Sequence, residues 1–117
     1  MPLTLKGKQI LVEAFETGIL DIPTHIAWGS GSSSFTENDT ILSDEFERNS
    51  ISSVDRQSTT IEYTGTLTTI QGVGETIQEV GLFNDATSGD MWARDVLYPI
   101  NKTNAFEYDT LFVLRVR

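Results

Sequence analysis

The stretch TIQEVGLFNDATSGDMWARDVLY, residues 76–98, decides the fold. Its run 80–83 is apolar on both faces of a strand, which predicts that a strand over 76–84 lies in the centre of a sheet. Residues 84–89 concentrate Asn, Asp, Ser and Gly, the composition of a hairpin turn. The chain then returns as a second strand over 90–98. This stretch therefore predicts an antiparallel hairpin whose first strand is buried.

A second strand signal lies upstream of the hairpin, where the chain alternates between apolar and polar residues. Ile61, Tyr63 and Leu67 share one face of the segment, and threonine and glutamate side chains take the other. This period of two predicts a half-buried strand. Gly65 interrupts the alternation, and an isolated glycine inside a strand predicts a β-bulge.

The last strand is predicted over residues 105–117, where the alternation is most regular. Its apolar residues share one face: Phe106, Tyr108, Phe112, Leu114 and Val116. Leu111 and Val113 fall on the other face, which should be partly covered midway. Because a long apolar strand left at a sheet edge invites aggregation, we expect this strand to be paired on both sides.

The first half of the chain combines a helix with a short strand. The apolar residues of 6–17 recur at helical spacing: Ile10, Leu11, Ala14 and Phe15. This spacing predicts an amphipathic helix that ends at Gly18. A strand follows over 24–28. Residues 39–48 predict a helical turn or short helix that Asp39 or Thr40 caps. The apolar residues of that helix would share its inner face: Ile41, Leu42 and Phe46.

Together these elements predict a mainly β fold. We expect a small antiparallel β-sandwich-like domain with one or two short helices in the N-terminal half. The 117 residues suffice for one core, so residues 1–117 are predicted to form a single domain.

Composition narrows the class of partner. The net charge is -9, from 17 acidic and 8 basic residues. Phosphate backbones and anionic lipids attract clusters of lysine and arginine, so nucleic acid and membranes are not expected as direct partners. The acidic excess suits many ordinary acidic proteins, with a host that lives in high salt as the alternative. The chain has no cysteine, which removes disulfides and thiolate ligands. No apolar run approaches the length that spans a membrane, and we expect no signal peptide at the N-terminus.

The motif Gly29-Ser30-Gly31 raises the question of a phosphate-binding loop. Such a loop needs a lysine that reaches the phosphates, and residues 29–40 contain neither lysine nor arginine. We therefore interpret the motif as a strand end followed by a flexible, solvated serine loop, with glycines that allow positive φ angles.

Other candidates for chemistry compete with plain structural roles. His25 is the single histidine and is expected to be a partly exposed strand residue, so a zinc site is not predicted. The turn 84–90 offers oxygen atoms but not the order of a calcium loop, and the acidic clusters leave a hydrolase as an alternative. Trp28 and Trp92 are expected to be core or interface anchors, with sugar stacking as the alternative.

Three segments in order, residues 25–48, 78–97 and 100–116, resemble a family of small structural proteins of tailed viruses. In that family a strand ending in Gly-x-Gly leads to a loop and a D-T-x-L…E…R segment. An E-x-G-L-F strand, an ARxVL strand and a Lys-Thr before the last strand follow. The matching residues are Gly29, Gly31, Asp39, Thr40, Leu42, Glu45, Arg48, Glu79, Gly81, Leu82, Phe83, Ala93, Arg94, Leu97, Lys102 and Thr103.

The resemblance implies a non-enzymatic virion component of the tail, baseplate or fibre system, or a decoration or turret protein of the head. It implies other virion proteins as partners, repeated copies in a symmetric assembly, and no cofactor. We predict that Glu79 and Arg94, on adjacent strands, pair and hold the hairpin. The residues predicted to act in structure or at an interface are Trp28, Gly29, Gly31, Glu79, Gly81, Phe83, Trp92 and Arg94. No catalytic, cofactor or metal residue is predicted.

Overall fold

The computed structural model describes residues 3–115. One helix, α1 (Leu5–Thr17), precedes seven strands: β1 (His25–Gly29), β2 (Glu45–Ser50), β3 (Ser53–Gln57), β4 (Thr60–Leu67), β5 (Thr76–Phe83), β6 (Met91–Asn101) and β7 (Tyr108–Arg115). Within this described part of the chain, no helix has the length and hydrophobicity needed to cross a lipid bilayer.

The strands form two antiparallel sheets, and the predicted fold class is confirmed. The four-stranded sheet has the order β2-β1-β5-β6, and the three-stranded sheet has the order β3-β4-β7. Ile26 and Trp28 from the first sheet share one buried cluster with Tyr63, Leu67 and Phe112 from the second. The core therefore lies between the sheets, as in a β-sandwich.

Helix α1 begins and ends where capping chemistry predicts. The Thr4 hydroxyl accepts a hydrogen bond from Gly7 N at 3.0 Å. Gly18 adopts a left-handed φ of 74°, and its N–H donates to the carbonyl of Ala14. The predicted apolar stripe divides, however: Ile10 is buried, whereas the Phe15 side chain is 91% exposed. Most of the apolar surface of α1 therefore faces outward.

The predicted hairpin over residues 76–98 is present. Strand β5 lies between β1 and β6, so its predicted central position is confirmed. Asn84 N donates to Asp90 O at 3.2 Å, and Asp90 N donates to Asn84 Oδ1 at 2.8 Å. These two bonds close the turn between β5 and β6.

The helix predicted over 39–48 is wrong. The Asp39 carboxylate accepts hydrogen bonds from the backbone N–H and the hydroxyl of Thr36, so it closes a turn behind it and does not cap a helix in front. The chain then extends, and Glu45–Ser50 pairs with β1 as strand β2. Of the three apolar residues placed on one inner face, Leu42 is buried and Phe46 is half-buried, but Ile41 is 71% exposed.

Pairing of the last strand on both sides is also wrong for the described residues. Strand β7 pairs with β4 and forms one edge of its sheet. Phe112 is buried against the core and Leu111 is 51% exposed. The hydrophobicity of β7 thus serves sheet-to-sheet packing rather than a second ladder. The prediction that Val116 joins the inner face lies outside the described residues.

Gly65 does not mark a bulge. Its ladder to β7 runs without a register shift, with Gly65 opposite Thr110. A Cβ atom at Gly65 would lie 2.8 Å from Ile26 Cδ1 and 2.9 Å from Ile26 Cβ. The glycine is therefore required because the two sheets approach each other closely at this point.

Candidate functional site

A buried ion pair lies on the outer face of the four-stranded sheet, which is the side turned away from the sandwich core. Arg94 on β6 stands opposite Gly81 on β5, two residues along the strand from Glu79. Side chains two residues apart share a face. Arg94 Nε donates to Glu79 Oε1 at 3.1 Å. The side chain of Arg94 is 1% exposed and that of Glu79 is 0% exposed. The predicted pairing of these residues is confirmed.

Backbone N–H groups complete the surroundings of the Glu79 carboxylate. Its Oε2 accepts from Gly31 N at 2.8 Å and from Asp44 N at 2.8 Å. Its Oε1 accepts from Ser43 N at 2.9 Å, in addition to Arg94. We call these three N–H groups and the Arg94 guanidinium the carboxylate cradle. Both carboxylate oxygens are thus saturated by donors, which offsets the cost of burying the charge.

The guanidinium of Arg94 also reaches beyond Glu79. Its Nη1 donates to Asp39 Oδ2 at 3.1 Å, and its Nη2 donates to Ser33 O at 2.8 Å. Partial burial alone would raise the pKa of Asp39. The hydrogen bonds from Thr36 and the charge of Arg94 together outweigh that effect and hold the pKa below its usual value. Arg94 therefore joins the sheet to two points of the loop between β1 and β2.

The two glycines of the Gly-Ser-Gly motif make this arrangement sterically feasible. A Cβ atom at Gly29 would lie 2.6 Å from Glu79 Oε2 and 2.7 Å from Asp44 O, and one at Gly31 would overlap Glu79 and Ser43. Neither glycine is among the described residues with positive φ. The expectation that they serve left-handed conformations is therefore wrong, and they are needed for close approach instead.

The serine loop is anchored to the sheet at several points. Besides its bonds to Glu79 and Arg94, Ser30 N donates to Asp44 O at 2.9 Å and the Ser33 and Ser43 hydroxyls are paired. Leu42 from the same loop packs in a second buried cluster with Ala27, Phe83 and Met91. Residues 30–44 are thus hydrogen-bonded over the outer face of the sheet through a few anchoring groups, while most of the loop residues, including Ser32 and Ser34, are exposed as predicted.

Gly81 makes room for that loop. A Cβ atom on it would lie 2.9 Å from Leu42 Cδ2 and 2.8 Å from a ring carbon of Phe83. The glycine of the EVGLF strand is thus the place where the covering loop inserts its apolar side chain.

The side chain of Arg48 binds the turn 84–89. Arg48 Nη1 donates to Asp85 O at 3.1 Å and to Ser88 O at 2.8 Å. The guanidinium lies 3.7 Å from the centroid of the Phe83 ring, and it pairs with Glu45 at 2.7 Å. Two backbone carbonyl oxygens of the turn that raised the question of calcium are therefore engaged by Arg48. Among residues 3–115 no group of three or more acidic or histidine side chains is arranged to hold a metal ion.

Lys102 is a second buried cation. It is 1% exposed. Its Nζ donates to Thr103 O at 2.7 Å and to Thr69 O at 3.4 Å, and it lies 5.1 Å from the Phe106 ring. Lys102 therefore ties together the loop after β4 and the loop after β6.

Both tryptophans are core residues. Trp28 is 0% exposed and donates from Nε1 to Thr110 Oγ1 at 2.8 Å. Trp92 is 2% exposed and donates to Asp21 O at 3.0 Å. A sugar-stacking platform requires an exposed ring face, so neither residue meets the requirement of the carbohydrate-binding alternative.

The remaining chemical candidates have local partners. His25 is half-exposed on β1, as predicted, and its ring lies within hydrogen-bonding distance of Thr24 and Ser50. A hollow of about 440 Å³ between α1 and the loops carries three carboxylates: Glu37, Asp39 and Asp90. Two of them are already ion-paired, Glu37 with Lys8 and Asp39 with Arg94. A hydrolase at this hollow would have to separate those pairs.

Several of the residues that carried the family resemblance meet on the outer face of the four-stranded sheet, whereas Leu82 and Ala93 face the core and Lys102 lies at a separate loop contact. Gly31, Asp39, Glu79 and Arg94 belong to one hydrogen-bonded network on the outer face, and Gly29 lies directly against Glu79. Leu42, Gly81 and Phe83 pack beside it, and Arg48 lies on Phe83. No protein-family model and no curated protein matches this chain.

Sequence reasoning missed the loop side of the cradle. Ser43 and Asp44 act through backbone N–H groups, which every residue but proline has, so nothing in the sequence marks them. The burial of Lys102 was also missed. Its signal was present in the Lys-Thr of the resemblance, but a lysine in a polar loop is ordinarily exposed.

Proposed function

We propose that this chain is a non-enzymatic structural protein of a tailed virus particle, a component of the tail, baseplate or fibre system that acts by repeated assembly. The observation that supports it best is the convergence of several of the resembling residues on one network. Gly29, Gly31 and Glu79 lie in different segments of the sequence, yet they share a single buried arrangement with Arg94.

The chemistry of that arrangement suits a scaffold. In residues 3–115, no buried side-chain nitrogen or oxygen lacks a hydrogen-bond partner. The donors of the cradle attach a covering loop to the sheet. The charge of Glu79 is therefore neutralised by contacts that stabilise the fold. A subunit that must keep one shape in many copies benefits from such a fully paired interior network.

The described surface also supports assembly. Large apolar side chains are exposed on α1 and the segment that follows it, including Val12 at 67%, Phe15 at 91% and Ile19 at 72%. Contiguous exposed apolar surface on a globular domain is typical of a protein-protein contact. Partners under this proposal are other virion proteins and further copies of the chain.

Particles purified on a density gradient provide the test. Quantitative mass spectrometry with peptides of this chain should find a fixed ratio to the major capsid protein across the particle peak, with a host cytosolic protein as the negative control. Loss of the chain from the particle peak would contradict the proposal. Immunogold labelling of the same particles then separates a tail position from the alternative, a decoration or turret on the head.

A further inference from the structure

An apolar groove lies beside helix α1, at the end of the sandwich. Its floor is a row across the three-stranded sheet, because Arg56 stands opposite Ile61 and Ile61 stands opposite Leu114. Leu20 and Ile22 form its other wall. The volume of the groove is about 580 Å³. Arg115 also lines the groove, so two guanidinium groups accompany the apolar walls.

The two arginines of the groove stand out in an acidic protein. Both residues are exposed. Within residues 3–115, the ion pairs of arginine involve Arg48 and Arg94, and neither Arg56 nor Arg115 pairs with an acidic residue. The groove therefore offers hydrophobic contact together with positive charge, and its natural complement is an apolar surface flanked by carboxylates.

Helix α1 carries such a surface. Relative to Val12, Phe15 lies at position i+3 and Glu16 at position i+4, so all three lie on neighbouring parts of one helix face. Glu13 continues the acidic side of this face. Both glutamates are exposed and make no ion pair with another described residue. Ile10 and Gly7 hold the opposite side of α1 in the fold, so this face is left without a partner.

We propose that a second copy of this chain occupies the groove: Val12 and Phe15 of one copy enter it, and Glu13 and Glu16 face its two arginines. The inference deepens the proposed function, on which it rests, by naming the contact through which copies assemble. Helix and groove are adjacent, since Leu11 of α1 lines the groove. Two copies related by a two-fold axis can therefore each place the outer face of α1 in the groove of the other, so that the contact is made twice.

Sedimentation velocity of the full chain over a wide concentration range tests this contact. We expect a reversible dimer or larger assembly that weakens as salt is added, because its charged pairs lie at an exposed rim. Phe15→Ser should weaken the association by about tenfold or more, as truncation of an aromatic anchor does. Tyr98→Ser is the matched control, since Tyr98 is 92% exposed and lies away from the groove-lining residues. Circular dichroism confirms that each variant is folded.

Charge reversal gives the decisive arm. The double variants Glu13→Arg/Glu16→Arg and Arg56→Glu/Arg115→Glu should each associate more weakly than the wild type, because like charges then meet. Mixed in equal amounts they should form a heteromeric complex, since the reversed helix of the first variant then faces the reversed groove of the second, and the unchanged helix of the second faces the unchanged groove of the first. A wild type that stays monomeric, or a mixture that gains nothing over its components, overturns the inference.

The two proposals fail separately. A chain that is present in particles but monomeric in solution contradicts the groove contact alone. A chain that associates as described but is absent from purified particles contradicts the virion role alone.

Discussion

Replacement of Glu79 by glutamine probes the carboxylate cradle most sharply. The substitution keeps the shape of the side chain but exchanges one acceptor oxygen for an amide group that only donates. In the wild type, Oε1 accepts from Arg94 and Ser43, and Oε2 accepts from Gly31 and Asp44. The glutamine amide therefore faces two donors in either orientation, and no rotation of the side chain relieves both.

The size of the effect follows from those two donors. A buried donor left without an acceptor costs about 1–3 kcal/mol, so two of them lower the free energy of unfolding by roughly 2–6 kcal/mol. That range agrees with the cost of breaking a buried ion pair by removing one partner, also about 3–5 kcal/mol. A domain near the middle of the ordinary range of stability, about 5–15 kcal/mol, then remains largely folded in water.

Urea unfolding measured by tryptophan fluorescence detects this change, because both tryptophans are buried in the core. Glu75→Gln is the matched control: the Glu75 side chain is exposed and makes no hydrogen bond with another described residue, so its effect should stay within about 0.5 kcal/mol. A Glu79→Gln variant within about 1 kcal/mol of the wild type would refute the reasoning.

Arg94→Met supplies a ranking within the same network. After this change the Glu79 carboxylate keeps the N–H groups of Gly31, Ser43 and Asp44. We therefore expect a smaller loss of stability than for Glu79→Ala, which leaves four donors unpaired, one of them charged. The reverse order would show that the backbone donors contribute little to the cradle.

Two further changes test the glycine and the acid of the network. Gly31→Ala should lower the free energy of unfolding by about 2–3 kcal/mol, because its Cβ overlaps Glu79. Gly18→Ala is the comparison, because Gly18 has a positive φ but its Cβ would lie in open space. It should lower the free energy of unfolding by about 1 kcal/mol, and the midpoints of urea unfolding measure both changes. Because the folded pKa of Asp39 is lowered, its charge adds stability above the unfolded pKa and loses it as pH falls through the folded one. Asp39→Asn should therefore destabilise the protein at about pH 7 and differ less from the wild type at about pH 3, measured as unfolding midpoints at both pH values.

Each of these changes has an outcome that would contradict its basis. Equal costs for Gly31→Ala and Gly18→Ala would mean that close approach to Glu79 is not what requires a glycine at Gly31. An Asp39→Asn effect that does not change with pH would mean that the charge of Asp39 does not contribute to stability.

The strands of the hairpin were predictable because their signal is local. Residues 80–83 are apolar on both faces, and β5 does lie between two other strands. The helix was predictable for the same reason, since its periodicity and Gly18 lie within one continuous segment. Its orientation was not, because periodicity shows which residues share a face and not whether the rest of the fold covers that face.

The Gly-Ser-Gly motif shows where sequence reasoning ends. The absence of basic residues in 29–40 disfavoured a phosphate loop. In the structure the backbone N–H of Gly31 donates to the carboxylate of Glu79 instead. The sequence by itself determined the β-rich class, the hairpin and the pairing of Glu79 with Arg94. Only the tertiary structure decided that a loop closes over the pair, that both glycines are required for its approach and that β7 is an edge strand. Such features depend on backbone groups and free space contributed by distant segments, and side-chain patterns along one segment do not encode them.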